Sequence, residues 1–318
     1  MTGYAGKDAM VNAPPGRAGK FRAYMKNHAS LYIMVLPGIA LILIFNYLPM
    51  YGVVMAFQNF KPALGLRNSA WAGLKHFNRI VGDRLFMNAF RNTALLGLYS
   101  LIFGFPAPIL LALLFNEMRN QKYKRVAQTI SYMPYFLSTV IVVGIMKDML
   151  SMNDGVVNDF IYRITGNKIN FFVRAEWFRT LYIGSNLWQG IGYSSIIYLA
   201  AISGVSPELY ESAVIDGAGR FKQIAYITLP SILPTIVILF IFAVGGVLGN
   251  DYQKILLIYS AATYSTSDVI NTYVFRAGIE GANQSYAAAV GLFSSVISLV
   301  LLVITNYLAK KTGETSLW

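Results

Sequence analysis

The stretch SPELYESAVIDGAGRFKQIAYITLPSILP, residues 206–234, is a polar segment between two long apolar runs of the sequence. Its beginning is typical of a helix N-terminus: Ser206 can cap the helix, and Pro207 takes the first helical position, where its missing N–H costs no hydrogen bond. Glu208 adds a negative charge to the first turn, where the helix dipole favours it. The stretch is therefore predicted to begin with a short helix.

Two glycines interrupt this segment. Gly217 and Gly219 favour a helix end, because glycine adopts the left-handed conformation of a helix C-cap at little cost. A second short helix, residues 220–227, is predicted to follow and to lead into a new apolar segment at Leu229 and Pro230. The pattern predicts a helix, a glycine turn and a second helix against a membrane face, although an ordinary connecting loop gives the same signals.

The same segment carries a recognisable motif. The triplets ESA at 211–213 and DGA at 216–218, followed by ITLP at 227–230, resemble the EAA loop of importer-type ABC transporter permeases. Ser212 stands where that family has alanine, and serine is small enough for the same packing. The resemblance implies that the loop 206–230 is a cytoplasmic coupling helix that docks into a cleft of a separate ATPase. The residues it assigns to ATPase coupling are Glu211, Ser212, Ala213, Asp216, Gly217 and Ala218.

The composition is that of a membrane protein. Of 318 residues, 56% are hydrophobic and only 13% are charged, and the mean hydropathy is +0.51, whereas soluble domains average about 25% charged residues. Without cysteine, disulfides and thiolate sites are excluded, and two histidines, His28 and His76, argue against a histidine-ligated metal. The net charge of +12 is better explained by loops facing anionic lipid headgroups than by nucleic acid.

Six apolar segments predict an all-α membrane protein with a six-helix transmembrane bundle. Each has about the 20 residues that a helix needs to cross the ~30 Å hydrocarbon core. The predicted organisation is a basic cytoplasmic tail (1–28), a transmembrane permease domain (29–310) and a cytoplasmic C-terminal tail (311–318). The segments are residues 31–57, 93–115, 126–146, 181–204, 229–249 and 286–309. Prolines predict kinks within or near them, at Pro37, Pro49, Pro106 and Pro108.

An even number of spans places both termini on the same side of the membrane. The predicted segments on the two sides carry thirteen Lys and Arg residues each, so the positive-inside rule barely distinguishes them. The orientation therefore rests on the resemblance. It implies a multi-pass protein of the bacterial inner membrane, with the coupling loop and both termini in the cytoplasm.

The residues that the spans lack help to separate classes of transporter. No predicted segment has an ionisable residue in its interior, which argues against a proton-coupled carrier. No GxxxxGK[ST] phosphate loop occurs either, so ATP must be hydrolysed by a separate subunit. An ion-coupled carrier with a sodium site of carbonyls and a membrane-embedded transferase remain the alternatives. Against the transferase, four aspartates near span ends form no compact acid–base motif with a histidine: Asp148, Asp154, Asp159 and Asp251.

One face of the fourth segment combines amides, an aromatic ring and a glycine. Asn186, Gln189, Gly190, Tyr193 and Ile197 follow at i, i+3, i+4, i+7 and i+11, which is the spacing of one helix face. Uncharged polar groups can bond sugar hydroxyls, an aromatic ring can stack on sugar C–H faces, and glycine leaves room for a ligand. The alternative is that the amides bridge neighbouring helices.

The pattern N-x-W-x-G-x-x-Y at 186–193 resembles the maltose-type sugar permeases of the same family. The resemblance implies that Asn186, Gly190 and Tyr193 bind sugar midway across the membrane. With Gln189 from the same face, and with Asn250, which resembles an asparagine-rich stretch of that family, these form the predicted substrate pathway. Further candidates of the same kind are Tyr135 and Ser138.

LPG at 36–38 and NYLPMYG at 46–52 resemble the subgroup of permeases for complex polysaccharides, the alginate importers among them. An acidic saccharide would suit the basic outer loops, which lipid headgroups or an acidic binding protein explain equally well. The implied partners are a homologous second permease in a heterodimer, two ABC ATPases, an extracytoplasmic sugar-binding protein, the oligosaccharide and membrane lipid, and no nucleic acid. ATP and Mg belong to the ATPases, so no cofactor, metal or catalytic residue is expected in this chain.

Overall fold

The computed structural model describes Tyr24, residues 28–311, Ser316 and Leu317. Most of the predicted basic tail and much of the predicted C-terminal tail therefore lie outside the described residues. The described part is almost entirely helical, as expected for the predicted all-α class.

The chain divides into two compact units, and the first ends at Val54. The helical stretch Ala29–Phe57 begins in this unit, and it is long and apolar enough to cross a membrane. Its first part, Ala29–Ile42, has no buried residue. The stretch consists of α-helix Ala29–Ile42, a π turn Leu43–Tyr47, α-helix Leu48–Met50 and a 3-10 helix Tyr51–Phe57.

The second unit, from Met55 onward, holds the rest of the described helices and a small antiparallel sheet. The strands are Gln58–Asn59 and Ala70–Trp71. The α-helices are Gly65–Asn68, Lys75–Gly82, Arg84–Tyr99, Pro106–Glu117, Gln121–Tyr132, Thr139–Met149, Val156–Thr165, Ala175–Ser203, Pro207–Ile215, Arg220–Gln223, Leu229–Gly245, Tyr252–Ile258, Tyr264–Ser267, Ile270–Phe275 and Gln284–Lys311. π turns lie at Ser100–Gly104, Ile224–Thr228 and Arg276–Glu280, and 3-10 helices at Met133–Phe136 and Ala261–Thr263.

Fewer than the predicted six helices are both long enough and apolar enough to count as membrane spans. Four described helices meet both criteria, and a bent pair of helices adds a fifth. The predicted fourth span corresponds to Ala175–Ser203, called here the central helix, which is 29 residues long. It is long enough to cross, but polar residues such as Asn186 and Gln189 leave it less apolar than the other four. The four are Ala29–Phe57, Arg84–Glu117, Arg220–Gly245 and Gln284–Lys311.

The predicted third span, residues 126–146, is not one straight helix. It is a bent pair, Gln121–Phe136 and Thr139–Met149, whose axes meet at 103°. Pro134 is the second residue of the 3-10 turn Met133–Phe136 that ends the first helix, since proline cannot continue the ladder of backbone bonds. Ser138 then has extended backbone and caps the second helix by accepting a bond from the N–H of Ile141. This break could not be predicted from the sequence, because every residue around it is compatible with a straight membrane span.

A π turn precedes several of the prolines that lie in the membrane helices. A proline ring clashes with the carbonyl four residues earlier, and the wider turn with i→i+5 bonds gives it room. The Phe105 N–H, for example, donates to the Ser100 carbonyl five residues back, just before Pro106. The turns Leu43–Tyr47, Ser100–Gly104 and Ile224–Thr228 each end two residues before a proline, namely Pro49, Pro106 and Pro230.

The segment predicted to couple to an ATPase, residues 206–230 and called here the coupling segment, follows its predicted pattern in part. A helix runs over Pro207–Ile215, and Gly217 has the left-handed φ of +77° expected after its end. Ser206 makes no side-chain capping bond, and Gly219, with φ −71°, is extended backbone that starts the next helix. The predicted second short helix, 220–227, is the beginning of a continuous 26-residue helix that passes through Pro230.

The central helix packs against Pro106–Glu117 and against the bent pair. Tyr198 and Ile202 are buried in a cluster with Ala112 and Ile232. Next to the bend, a Cβ on Gly192 would collide with the main chain of Ser131. Only glycine permits this close approach of two backbones.

Candidate pathway cavity and coupling segment

A cavity of about 530 Å³ lies along the central helix. Three of the residues predicted for the pathway line it, Asn186, Tyr193 and Asn250, together with Ile197 of the same predicted face. The wall adds hydroxyl groups and small residues, among them Ser100, Tyr182, Ser194, Gly97, Gly104 and Gly246. The structure thus brings together residues 186 and 250, which are far apart in the sequence.

Gly190 lines a smaller cavity of about 140 Å³, next to the first. Asn186 and Ser194 border both cavities. A Cβ on Gly190 would meet no heavy atom within 4 Å. This glycine therefore borders open space, as predicted for a residue that leaves room for a ligand.

A buried lysine, which no sequence motif singles out, lies behind the amide face. The Lys254 side chain is 1% exposed, and its ammonium group donates to Asn186 Oδ1 (2.5 Å) and Gln189 Oε1 (2.8 Å). Gln189 in turn donates to the Leu137 carbonyl (2.9 Å) at the break of the bent pair. Gln189 lines neither cavity, so it lies where the alternative interpretation put it, bridging helices.

The nearby carboxylate of Asp251 partly compensates the charge of Lys254 without forming an ion pair among the described contacts. Burial lowers the pKa of Lys254, and the negative charge of Asp251 opposes this shift. Asp251 caps the helix Tyr252–Ile258 and also lines the main cavity. The cavity wall therefore carries one carboxylate with one ammonium behind it. One sequence signal could have identified Lys254 as a buried residue: it is a single lysine directly before the apolar run ILLI at 255–258.

One aromatic ring of the cavity wall, Tyr193, packs against Tyr135, which lines neither cavity. The rings of Tyr193 and Tyr135 stack with centroids 3.8 Å apart and planes 3° apart, and both side chains remain nearly half exposed. Tyr135 belongs to the 3-10 turn of the bent pair, so the break positions it. Ser138, which was predicted as a further pathway candidate together with Tyr135, caps the helix beyond the break.

Asn250 joins the cavity to the neighbouring helix. Its side-chain N–H donates to the Thr93 carbonyl (3.3 Å), and its own backbone carbonyl accepts from Asn271 (3.1 Å).

In the described part of the chain, no group of three or more His, Asp or Glu side chains could hold a metal ion.

The coupling segment presents its motif on an exposed turn. Glu211, Ser212, Asp216 and Gly217 are exposed, while Ala213 and Ala218 are half-buried and joined by a backbone bond of 2.8 Å. Tyr210 and Thr228 share a 2.9 Å hydrogen bond that ties the short helix to the membrane helix. The surroundings are apolar and strongly exposed, with Ile215 at 86%, Phe221 at 89% and Tyr226 at 79%.

The sequence matches the family described as binding-protein-dependent transport system inner membrane component over residues 79–314. A polygalacturonan/rhamnogalacturonan transport system permease protein of Bacillus subtilis, YteP, is 44% identical over 91% of this chain and 90% of its own length. Protein LplB of the same species is 40% identical over 96% of this chain and 98% of its own.

Solved structures show the same fold. A chain of a bacterial ABC transporter that imports the acidic polysaccharide alginate has a TM-score of 0.84 at 42% identity, over 92% of this chain and 99% of that one. In a second structure, the alginate transporter is in complex with a periplasmic protein that binds an alginate pentasaccharide (TM-score 0.86, 41% identity, 94% and 100% covered). With its helical architecture and these matches, this chain belongs to the binding-protein-dependent inner membrane components, the non-enzymatic permease subunits of ABC importers.

Proposed function

We propose that this permease passes an acidic oligosaccharide, a fragment of a uronate polymer, along the cavity beside the central helix. The observation that carries the proposal is the convergence of Asn186, Tyr193 and Asn250 on that cavity. The cargo class is supported by the similar proteins, one named for polygalacturonan and another described as an importer of acidic alginate.

The cavity wall suits sugar rings better than ions. Amide and hydroxyl groups bond sugar hydroxyls, and the ring of Tyr193, held by its stacking on Tyr135, offers an aromatic surface for sugar C–H groups. Asp251 and Lys254 leave the wall without net charge. Recognition of the uronate carboxylates is therefore assigned to the basic outer loops and to the binding protein.

The energy for transport comes from outside this chain. Two ATPase subunits, which bind ATP and Mg, grip the coupling segment of this permease and of a homologous partner permease. Because the coupling segment directly follows the central helix, movement of one moves the wall of the cavity. The chain lies in the bacterial inner membrane with both termini cytoplasmic, and an extracytoplasmic binding protein delivers the saccharide. Neither an ion-coupled carrier nor a transferase is favoured by the similar proteins.

The experiment that tests this proposal is ATPase activity of the reconstituted complex with binding protein and a panel of oligosaccharides. Trigalacturonate and other uronates are expected to stimulate turnover, and neutral oligosaccharides are not. Asn186→Ala and Tyr193→Ala are each expected to raise the half-saturating saccharide concentration about fivefold, since each removes one hydrogen bond or stacking contact worth about 1 kcal/mol. Tyr193→Phe, which keeps the ring, is the matched control. Equal stimulation by neutral sugars would refute the cargo class.

Lys254 is expected to act as a positioning residue for the amide face. Lys254→Met keeps the apolar stem but releases both amide oxygens, so Asn186 loses its fixed orientation toward the saccharide. We expect a roughly tenfold higher half-saturating concentration, the equivalent of one weakened hydrogen bond. Thermal stability is expected to change little, since the lifted desolvation penalty of the buried charge offsets the loss of two hydrogen bonds to amides that are themselves only partly buried.

The control for this variant is Lys168→Met, which removes a partly buried lysine that is paired with Asp159 and lines neither pathway cavity. It is expected to leave saccharide dependence unchanged. If Lys254→Met lowered the melting temperature without changing the half-saturating concentration, Lys254 would be a purely structural residue.

A further inference from the structure

A second, separate pocket is lined by basic side chains. It has a volume of about 330 Å³ and shares no lining residue with either pathway cavity. Four of its eight lining residues can carry positive charge: Lys61, Lys75, His76 and Arg79. The others are Asn59, Phe60, Asn283 and Ser285, and no carboxylate is among them.

Three of the four basic side chains contact neighbours that do not neutralise them. His76 is more than nine-tenths buried, and its Nε2 donates to the Gln58 carbonyl at 3.0 Å. The Arg79 guanidinium lies 4.5 Å from the centre of the Tyr286 ring. Lys75 contacts Asn59 Oδ1 at 3.5 Å, at the limit of a hydrogen bond. His76 and Arg79 are therefore positioned before any ligand arrives, which lowers the entropy cost of binding, whereas the exposed Lys61 and Lys75 side chains are free to close on a ligand.

The positive charge of the pocket is unbalanced. Among the described residues, none of the four basic side chains forms an ion pair. Asp83 reaches the same region through Tyr286, but its Oδ2 atom already accepts bonds from Tyr273 (2.6 Å) and Tyr286 (3.0 Å). A group with several anionic oxygens is the ligand that such a cluster binds best.

The position of the pocket indicates the source of that ligand. Lys75–Gly82 directly precedes the membrane helix Arg84–Glu117, and Ser285 lies at the start of the membrane helix Gln284–Lys311. Two membrane helices thus begin at the pocket, and this places it at the level of the headgroups. On the adjoining strand, Trp71 is 67% exposed and stacks on Phe57, and exposed tryptophan is typical of the membrane interface.

We propose that the pocket lined by Lys61, Lys75, His76 and Arg79 binds the phosphate headgroup of an anionic phospholipid. The lysines and arginine contact the phosphate oxygens. The side-chain oxygens of Asn59, Asn283 and Ser285 already accept bonds from Lys75, Tyr286 and Phe60, and their N–H and O–H groups donate to the glycerol oxygens. The proposal does not depend on the saccharide assigned above, because the pocket and the pathway have separate walls.

The test is native mass spectrometry of the intact transporter complex, titrated with phosphatidylglycerol, phosphatidylcholine, glycerol phosphate and trigalacturonate. The wild type is expected to retain one phosphatidylglycerol that phosphatidylcholine does not replace. The variant Lys61→Gln/Lys75→Gln/Arg79→Gln is expected to bind it about a hundredfold more weakly, at roughly fivefold for each cation near an anionic lipid. The matched control carries the same charge change at exposed cations elsewhere: Lys147→Gln, Arg163→Gln and Arg174→Gln.

A double variant protects the test against a folding defect. Lys61→Gln/Lys75→Gln leaves Arg79 on the Tyr286 ring and is expected to weaken lipid binding roughly twenty-fivefold. Unchanged phosphatidylglycerol binding in both variants would overturn the proposal. Equally tight binding of free glycerol phosphate would reassign the pocket to a soluble phosphate. Loss of trigalacturonate or binding-protein affinity in the variants, with lipid binding intact, would reassign it to the saccharide or to the binding protein.

Discussion

Deletion of residues 213–217 is expected to abolish transport while the membrane helices still fold. The deletion removes the end of the short helix Pro207–Ile215 and the turn at Gly217, yet none of the buried core residues belongs to it. The ATPases would lose the exposed surface proposed to carry their movement to the central helix. Uptake of labelled oligosaccharide into proteoliposomes, measured beside ATP hydrolysis, checks this outcome. Persistent transport in the deletion variant would show that the coupling proposal is wrong.

A point substitution makes the same prediction sharper. Gly217 has φ +77°, and a Cβ added there would meet no heavy atom within 4 Å, so Gly217→Val acts through backbone strain alone. Left-handed backbone costs a non-glycine residue about 1–2 kcal/mol, and a β-branched residue more. We expect uptake to fall at least tenfold. Gly219→Ala is the matched control, because φ there is −71° and the space is equally open.

Gly192→Ala is expected to destabilise the folded chain by about 2 kcal/mol or more. The new Cβ would collide with main-chain atoms of Ser131 and Tyr132, which cannot rotate away as a side chain can. Overpacking of this kind costs about 1–3 kcal/mol, occasionally more, and alanine recovers about 1 kcal/mol of helix propensity. The collision is with rigid backbone, so the upper part of that range applies. Thermal unfolding of the purified complex in detergent measures the difference.

Gly184→Ala is the control, since it lies on the same helix and faces open space. It is expected to be neutral or stabilising by up to about 1 kcal/mol. If Gly192→Ala and Gly184→Ala had the same melting temperature, the close contact between the central helix and the bent pair would not stabilise the fold as the structure indicates.

The sequence predicted the polar features of this chain better than its apolar ones. The turn at Gly217 and the helix after Pro207 follow from local chemistry that neighbours do not alter. Asn186 and Tyr193 were placed on one face by helical spacing, and both line the cavity. Asn250 was reached only through the family resemblance, because nothing in its local sequence indicates that it contacts the helix at Thr93.

The features that were missed are decided by tertiary contacts. The break at Leu137 and Ser138 lies in an apolar run that is equally compatible with a straight span. Lys254 was not among the predicted site residues, because a sequence shows a charge but not that Asn186 and Gln189 accept its hydrogen bonds. The central helix was predicted as an ordinary span, although its polar face leaves it less apolar than its neighbours.

The π turns before the prolines change the rotational phase of the membrane helices. An α-helix turns by about 100° per residue, and a π turn accommodates one extra residue. After Ser100–Gly104, the side chains of Pro106–Glu117 are therefore out of phase with those of Arg84–Tyr99. A helical wheel drawn through the whole span would predict the wrong neighbouring helix for the side chains of Pro106–Glu117. Faces of these helices must be counted anew from each proline, and a relative lacking one residue there would present a different face to the central helix.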